Sequence, residues 1–500
     1  MLKQIKGLLS DSAIYGLSGV LQQIVGLLVL PVYTRHLSTE DYGAIGLFAL
    51  LTGVFGPLGH WGIANAVFKR FYKETSEERR TKALRTALAS VSVTSIALGG
   101  LCLLNAGFIT VVLLGDQQYV PLVRIVVLTA TLMTLGELPL RVLRAQRRVK
   151  MIAILNAINL FISVSLIVVF VAGFRWGLPG MVMGQFVGAI IVLCSFLVVV
   201  QRDLRFEFDS RIWREMFSYG WPFVPHHLFG QCMTLIGQFI IARMVGLSEA
   251  GLYHLASRFA VPIGLVVFSI QKAWVPYKFQ MHAELEDSSQ FFRSVMLLYV
   301  SAISLVWVIV SIWGPEILWL LAEPRFYTAG AFIPLLAFAQ ICRGLYFMLG
   351  TGIELTDDTR MMPLVSFAGL AGLIVTSYFL VPRFGAYGAA WGAIFGWLIM
   401  AGLISFLAQR RFPIKHDWRR VSGICVLAGA VVVLSVRLQS DLGFLARLSW
   451  DCFVTMVFPL LILLMLSRSE NERAILREFW AQLGSRFLNW RLFRKASDNV

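Results

Sequence analysis

Apolar stretches of about twenty residues follow one another along almost the whole of this 500-residue chain, separated by short polar turns. Each is long enough to cross roughly 30 Å of hydrocarbon. In that medium unpaired backbone amides are too costly to leave bare, so spans of this kind fold as helices. With 58% hydrophobic and only 14% charged residues, the chain cannot clothe a water-exposed surface. The pattern predicts an all-α polytopic membrane protein with about fourteen transmembrane helices. They begin near Ala13, Tyr42, Ala83, Gln118, Met151, Leu178, Tyr219, Ala250, Phe291, Ala331, Pro363, Ala386, Val421 and Leu448. No loop is large enough for an independent soluble domain.

A formal charge of +16 would suit a nucleic-acid binder if the cations formed a patch, but they do not. They gather at Lys69, Arg70, Lys73, Arg79, Arg80 and Lys82, at Arg141, Arg144, Arg147, Arg148 and Lys150, and at Arg410, Arg411, Lys415, Arg419 and Arg420. Each cluster follows an even-numbered span, which is the positive-inside bias and places both termini in the cytoplasm. Nucleic acid is therefore excluded as a partner. The six cysteines (Cys102, Cys194, Cys232, Cys342, Cys425 and Cys452) are isolated in or beside apolar spans, so neither a disulfide framework nor a metal site is expected. The first ten residues form a basic head without a small-residue cleavage site and read as the start of an uncleaved helix. In 468–500, Leu476, Phe479, Trp480, Leu483, Phe487 and Trp490 recur at helical spacing among charges, predicting a cytoplasmic amphipathic helix on the membrane surface.

Sliding the sequence against itself by 208 positions brings uncommon residues into register without a gap. Gln23 meets Gln231; Arg35, Asp41 and Gly43 meet Arg243, Glu249 and Gly251; Arg70 meets Lys278; Gly136 meets Gly344. Arg175, Gly177, Gly180, Gly184 and Gly188 fall on Arg383, Gly385, Gly388, Gly392 and Gly396. Six spans per repeat make the repeats parallel, related by an axis along the membrane normal. The expected organisation is an N-lobe of helices 1–6 (1–210), a C-lobe of helices 7–12 (211–416), a cleft between them, extra helices 13–14 (417–467) and the tail 468–500. Glycines four apart line one helix face and are assigned to close packing within a lobe.

Polar residues inside spans must face protein or water. His227, Gln231, Thr234 and Gln238 form one stripe on the seventh helix, and Gln22 and Gln23 lie on its repeat mate, the first. They line a hydrated cleft or bond helices within one lobe. Arg70 and Lys278, with Lys69 and Lys272 nearby, sit at matching cytoplasmic helix ends, where positive-inside bias alone would also put cations. Arg343 lies near the middle of its span and Arg258 about two turns into its own, where a charge is expensive unless paired or hydrated. Glu137 has three options: counter-ion to Arg343, partner to Arg141 one turn on, or proton carrier. No nucleotide loop or HExxH zinc motif occurs, and the acyltransferase-like HxxxxD from His282 to Asp287 is too short a pattern to carry catalysis.

Leu30 to Phe48 (LPVYTRHLSTEDYGAIGLF), Gly62 to Glu74 (GIANAVFKRFYKE), Gly246 to Ala260 (GLSEAGLYHLASRFA) and Arg383 to Gly392 (RFGAYGAAWG) together resemble the multidrug/oligosaccharidyl-lipid/polysaccharide exporter superfamily, in its polysaccharide-transport branch with the Wzx-type O-antigen flippases. The resemblance covers about the first 410 residues. It implies a bacterial inner-membrane flippase, not an enzyme, with no cofactor. Such a protein would carry undecaprenyl-diphosphate-linked oligosaccharide to the periplasmic leaflet by alternating access, beside membrane lipids and a polysaccharide polymerase or export machinery. Arg70, Lys278, Arg258, Arg343, Lys69 and Lys272 would then form a cationic path for the diphosphate. Gln22, Gln23, His227, Gln231, Thr234 and Gln238 would line the cleft, with Glu137 the candidate for ion coupling. Lipid II flippase and multidrug or cation antiporter remain as alternatives within the superfamily, with a membrane glycan polymerase or acyltransferase further off.

Overall fold

The computed structural model of the protein describes residues 21–63, 66–67, 70, 76–146, 148–200, 207–284, 289–356, 361–441 and 443–466. Among them there are helices and turns and no strand. In chain order the helices are α1 (Leu30–His36), α2 (Thr39–His60), α3 (Glu77–Leu104), α4 (Ala106–Leu114), α5 (Val120–Ala145), α6 (Val149–Val168), α7 (Gly177–Val200), α8 (Ser210–Gly220) and α9 (Phe223–Met244). There follow α10 (Leu247–Glu284), α11 (Ser289–Leu321), α12 (Ile333–Leu349), α13 (Thr351–Leu355), α14 (Met362–Phe384), α15 (Ala386–Arg411), α16 (Trp418–Asp441) and α17 (Phe444–Leu466).

Twelve of the described helical segments are long and apolar enough to cross a membrane. The difference from the expected fourteen falls on the first and seventh. Only the part of the first from residue 21 onward is described. The seventh, α9, has 22 residues, but His226, His227, Gln231, Gln238 and Arg243 dilute its apolar content. The expected tail helix over 468–500 lies outside the described residues. Large apolar side chains face outward along the bundle, among them Leu104 (87% exposed) and Phe108 (73%). Such a surface is stable only against lipid.

Helices α3, α5, α6 and α7 pack together in one group and α9 to α12, α14 and α15 in another, while α2 packs against both, most extensively against α10. The pair α16 and α17 rests on α11. Within each group the four-apart glycines act as spacers. A Cβ on Gly180, Gly184 or Gly188 would stand 2.7–2.8 Å from the backbone or side chains of α6 and the turn after it. One on Gly388, Gly392 or Gly396 would meet α14 at 2.0–2.9 Å.

Chain direction sorts the helix ends into a basic end, with Arg70, Arg141 and Lys278, and an opposite end, where α2 and α10 begin. Ser38 starts α2 with a capping box: its Oγ accepts from the Asp41 N–H (3.0 Å) while the Asp41 carboxylate accepts from the Ser38 N–H (2.8 Å). Here the two groups meet closely. Thr39 Oγ1 bonds Ser248 Oγ at 2.7 Å, and Arg325 donates to the carbonyls of Thr34 (2.6 Å) and Arg35 (3.2 Å). The repeat-related arginines cross in opposite directions: Arg35 lies 3.6 Å from Glu323, and Arg243 donates to the Val111 carbonyl at 3.2 Å.

At the basic end the connection between the groups is α8, an amphipathic helix. Asp209 caps it, accepting from the Arg211 and Ile212 N–H groups, and is held to α3 by Lys82 at 2.9 Å. Arg85–Glu207 (3.1 Å) and Arg70–Glu215 complete its attachment to the first group. The Lys82 ammonium, with the backbone N–H groups, holds the Asp209 carboxyl below the usual carboxylate range. Trp213, Phe217 and Trp221 stack along α8, and Trp61 covers the last two. Aromatic rings of this kind suit the membrane interface.

Candidate functional site

The polar stripe of α9 runs along a cavity of about 260 Å³ inside the second packing group. His226, His227, Gln231 and Thr234 contribute one wall, Arg343, Tyr346 and Phe347 of α12 another, and Ser366 of α14 with Trp397 and Met400 of α15 the rest. Helical spacing explains the convergence: 343, 346 and 347 share one face of α12, as 227, 231 and 234 share one face of α9. The spacer glycines Gly369 and Gly396 draw α14 against α15 and thereby bring Trp397 to the cavity.

The Arg343 guanidinium is held between ring faces, 5.7 Å from the Trp397 centroid and 5.9 Å from that of Phe347. Among the described residues its hydrogen-bond partner is Gln340, whose Oε1 accepts at a long 3.5 Å, and Nε is buried without a partner. No carboxylate among the described residues lies within ion-pairing distance of it. A guanidinium so placed keeps a positive charge inside the membrane and has unused N–H donors to offer an anion.

The other candidates are distributed differently. Lys278 is 1% exposed and paired with Glu354 on α13, and Arg70 is paired with Glu215 on α8, so both matching cations of the basic end carry carboxylate partners. Lys272 is exposed, its ammonium 4.3 Å from the Phe268 ring centroid, and Lys69 lies outside the described residues. Arg258 is half-buried on α10, its charge within reach of Tyr33, Tyr42 and His254. Gln238 leaves the stripe's cavity and bonds His254 at 3.2 Å in the wall between α9 and α10. Gln22 and Gln23, on the helical segment before α1, do not line the cavity.

Glu137 takes the local option: it lies 3.4 Å from Arg141 and 3.7 Å from His60, not beside Arg343. It lines a second cavity of about 270 Å³ in the first group, with Asn156, Ser163 and Gln185. The aromatic walls of the Arg343 cavity and the carboxylates Glu215 and Glu354 were not among the sequence candidates. Their spacing gave a signal only for Tyr346 and Phe347, one turn from Arg343. Among the described residues no group of His, Cys, Asp and Glu is arranged to hold a metal ion.

Residues 8–282 match the model of a family described as polysaccharide biosynthesis protein, more than half of the chain. The chain belongs to that family. A relative of this polysaccharide biosynthesis protein is the succinoglycan biosynthesis transport protein ExoT of Rhizobium meliloti (strain 1021), 24% identical over 391 residues, covering 78% of this chain and 75% of that one. Among solved structures the fold is similar to the lipid II flippase MurJ in an inward closed conformation, with a TM-score of 0.71, 13% identity, and 89% and 98% of the two chains covered. It is also similar to an inward-facing multidrug resistance MATE family transporter of the MOP superfamily, with a TM-score of 0.62, 14% identity, and 81% and 95% covered. The fold of this polysaccharide biosynthesis protein is thus that of the exporter superfamily its motifs resemble.

Proposed function

We propose that this chain is a flippase that carries a lipid-linked glycan from the cytoplasmic to the periplasmic leaflet for polysaccharide biosynthesis. The observation that carries the reading is the Arg343 guanidinium, uncompensated by any described carboxylate and set in a polar, aromatic-walled cavity of a flippase-like fold. A permanent cation inside a membrane protein costs free energy unless something anionic visits it. The transport role of the succinoglycan relative and the lipid II flippase role of MurJ agree with an anionic lipid-linked sugar as that visitor.

In this reading the two six-helix halves are lobes that alternate about the clasp at Thr39 and Ser248, the basic end faces the cytoplasm, and the lipid tail stays in the bilayer. An anion leaving an inside-negative cell gains about 2.3 kcal/mol per charge per 100 mV. Glu137, bonded to Arg141 and close to His60, is the group placed to couple transport to protons. The aromatic cavity with its single guanidinium disfavours a cationic drug, which would need an acidic lining.

The test is reconstitution. Purified protein in vesicles is given a fluorescent undecaprenyl-diphosphate oligosaccharide, and its transfer to the opposite leaflet is read by quenching. Transfer that depends on the protein and on Arg343 supports the proposal. Turnover of the lipid-linked sugar without transfer would point to a polymerase or transferase, and equal movement of cationic dyes to an antiporter.

A further inference from the structure

The two cavities are lined by corresponding helices of the two repeats, α5, α6 and α7 in the first and α12, α14 and α15 together with α9 in the second, but they hold opposite charges. Ala189 and Val192 of the first correspond, 208 positions on, to Trp397 and Met400 of the second. In the first cavity Glu137 is compensated locally by Arg141 and His60. In the second the charge is positive and lacks a carboxylate among the described residues, and a tryptophan stands where the first has an alanine.

We propose that the Arg343 cavity is a subsite for one sugar ring bearing a single carboxylate, so that the protein selects glycans containing an acidic sugar. The inference takes the glycan itself from the flippase reading above. Its chemistry rests on the cavity. A diphosphate spreads its charge over two groups and calls for at least two fixed cations, whereas Arg343 is the one fixed cation among the described residues of this lining; Arg70 and Lys278 sit elsewhere with Glu215 and Glu354. Trp397 and Phe347 each turn a ring face to the guanidinium carbon, and neither supplies an acceptor to the N–H edge. A carboxylate offers that edge two parallel acceptors, the geometry in which arginine binds most selectively. The bare Nε then gains the acceptor it lacks. Around this point, Tyr346 and Trp397 present flat apolar surface suited to the C–H face of a pyranose, while Gln231, Thr234 and Ser366 present hydrogen-bonding groups suited to its hydroxyl rim. At about 260 Å³ the cavity holds a single ring and excludes a chain of them.

The full-length protein in lipid nanodiscs is examined by saturation-transfer NMR with D-glucuronate, D-glucose and, as competitor, inorganic pyrophosphate. Glucuronate is expected to bind at least about tenfold more tightly than glucose, and Arg343→Gln to erase the difference. Arg343→Lys, which keeps the charge and loses the fork, is expected to weaken glucuronate about three- to tenfold. Gln231→Ala, which leaves the arginine in place, is expected to weaken both sugars equally; this keeps the test decisive if Arg343→Gln does not fold. The proposal is overturned if glucuronate and glucose bind alike, if Gln231→Ala removes the preference for glucuronate while leaving glucose binding unchanged, or if equimolar pyrophosphate displaces glucuronate completely, which marks a phosphate site. Because the probe is a free sugar, Arg343-dependent glucuronate binding without glycan transfer in vesicles sinks the flippase reading alone. Glycan transfer without that binding sinks only the subsite.

Discussion

Gly43 and Gly251 hold equivalent positions in the two repeats, and each lies against the backbone of the other's helix. A Cβ on Gly43 would stand 2.0 Å from the Leu247 carbonyl oxygen, and one on Gly251 1.9 Å from that of Thr39. Leu247 and Thr39 are themselves repeat mates, so the contact is reciprocal, as across a two-fold axis. No side chain beyond hydrogen fits at either place while the helices touch. The crossed reach of Arg35 and Arg243 follows the same symmetry.

A disulfide across this contact is expected to lock the protein. With the six native cysteines replaced, Thr39→Cys with Ser248→Cys should crosslink under mild oxidant, since the two hydroxyls lie 2.7 Å apart. Glycan transfer in vesicles should then stop and return on reduction. Transfer unaffected by the crosslink would show that α2 and α10 do not separate during the cycle.

Gly43→Leu and Gly251→Leu should each leave the protein in the membrane but lower transfer by about tenfold or more, because overpacking of a backbone contact cannot be relieved by a rotamer change. Surface polysaccharide of a complemented deletion strain measures this. Normal export by both variants would mean that the closed contact is not visited.

Arg343→Ala and Arg258→Ala should each abolish most export while expression persists, and lysine at either place should recover part of it. The comparison with membrane-fraction immunoblots separates lost transport from lost protein. Export at wild-type level in both alanine variants removes the cationic path.

Lys278 is expected to act first on stability. Removing it strands Glu354 beside the core, and breaking a fully buried pair costs about 3–5 kcal/mol, a figure reduced here because Glu354 is 27% exposed. Lys278→Met should therefore lower the unfolding temperature in detergent, and Lys278→Met with Glu354→Gln should restore most of it. If the double variant is stable but inactive, the lysine has a second role in transport.

Glu137→Gln keeps the shape of the first cavity and removes its one described carboxylate. Transfer driven by a proton gradient is expected to fall at least about fivefold, while transfer driven by membrane potential alone is retained. Equal sensitivity to both would assign Glu137 to the Arg141 and His60 contacts only.

Acid should loosen α8. The Asp209 carboxyl has its pKa lowered in the folded protein by Lys82 and the cap N–H groups. Its contribution is therefore present above the ordinary carboxylate value of about 4 and is lost as pH falls through the lower folded value. The protection of the Arg211 and Ile212 amides, whose partner is Asp209, against hydrogen exchange, taken relative to the intrinsic rate at each pH, should fall on acidification below about pH 4, and Asp209→Ala should show the lower protection already at pH 7.

The polar residues of the spans show how far one strand of sequence reaches. Spacing alone put His227, Gln231 and Thr234 on one face, and they do share one wall of one cavity. The same spacing included Gln238, which faces His254 instead, because the stripe is longer than the cavity and α10 crosses it. Arg343 was singled out by its depth, but its rings were not, since Trp397 comes from a helix fifty-four positions away.

What the sequence determined by itself is whatever a hydrocarbon solvent enforces locally: helices throughout, a basic end, a duplicated set of spans, and glycines where helices must touch. Each follows from the cost of bare backbone or charge in lipid, which is paid residue by residue. What only the tertiary structure decided is which cations are compensated. Arg70 finds Glu215 at a separation of 145 residues and Lys278 finds Glu354 at 76, while Arg343 finds aromatic faces. Periodicity records which face of a helix a side chain occupies, but a charge is spent or free according to the helix that packs opposite, and that is fixed only when the whole bundle closes.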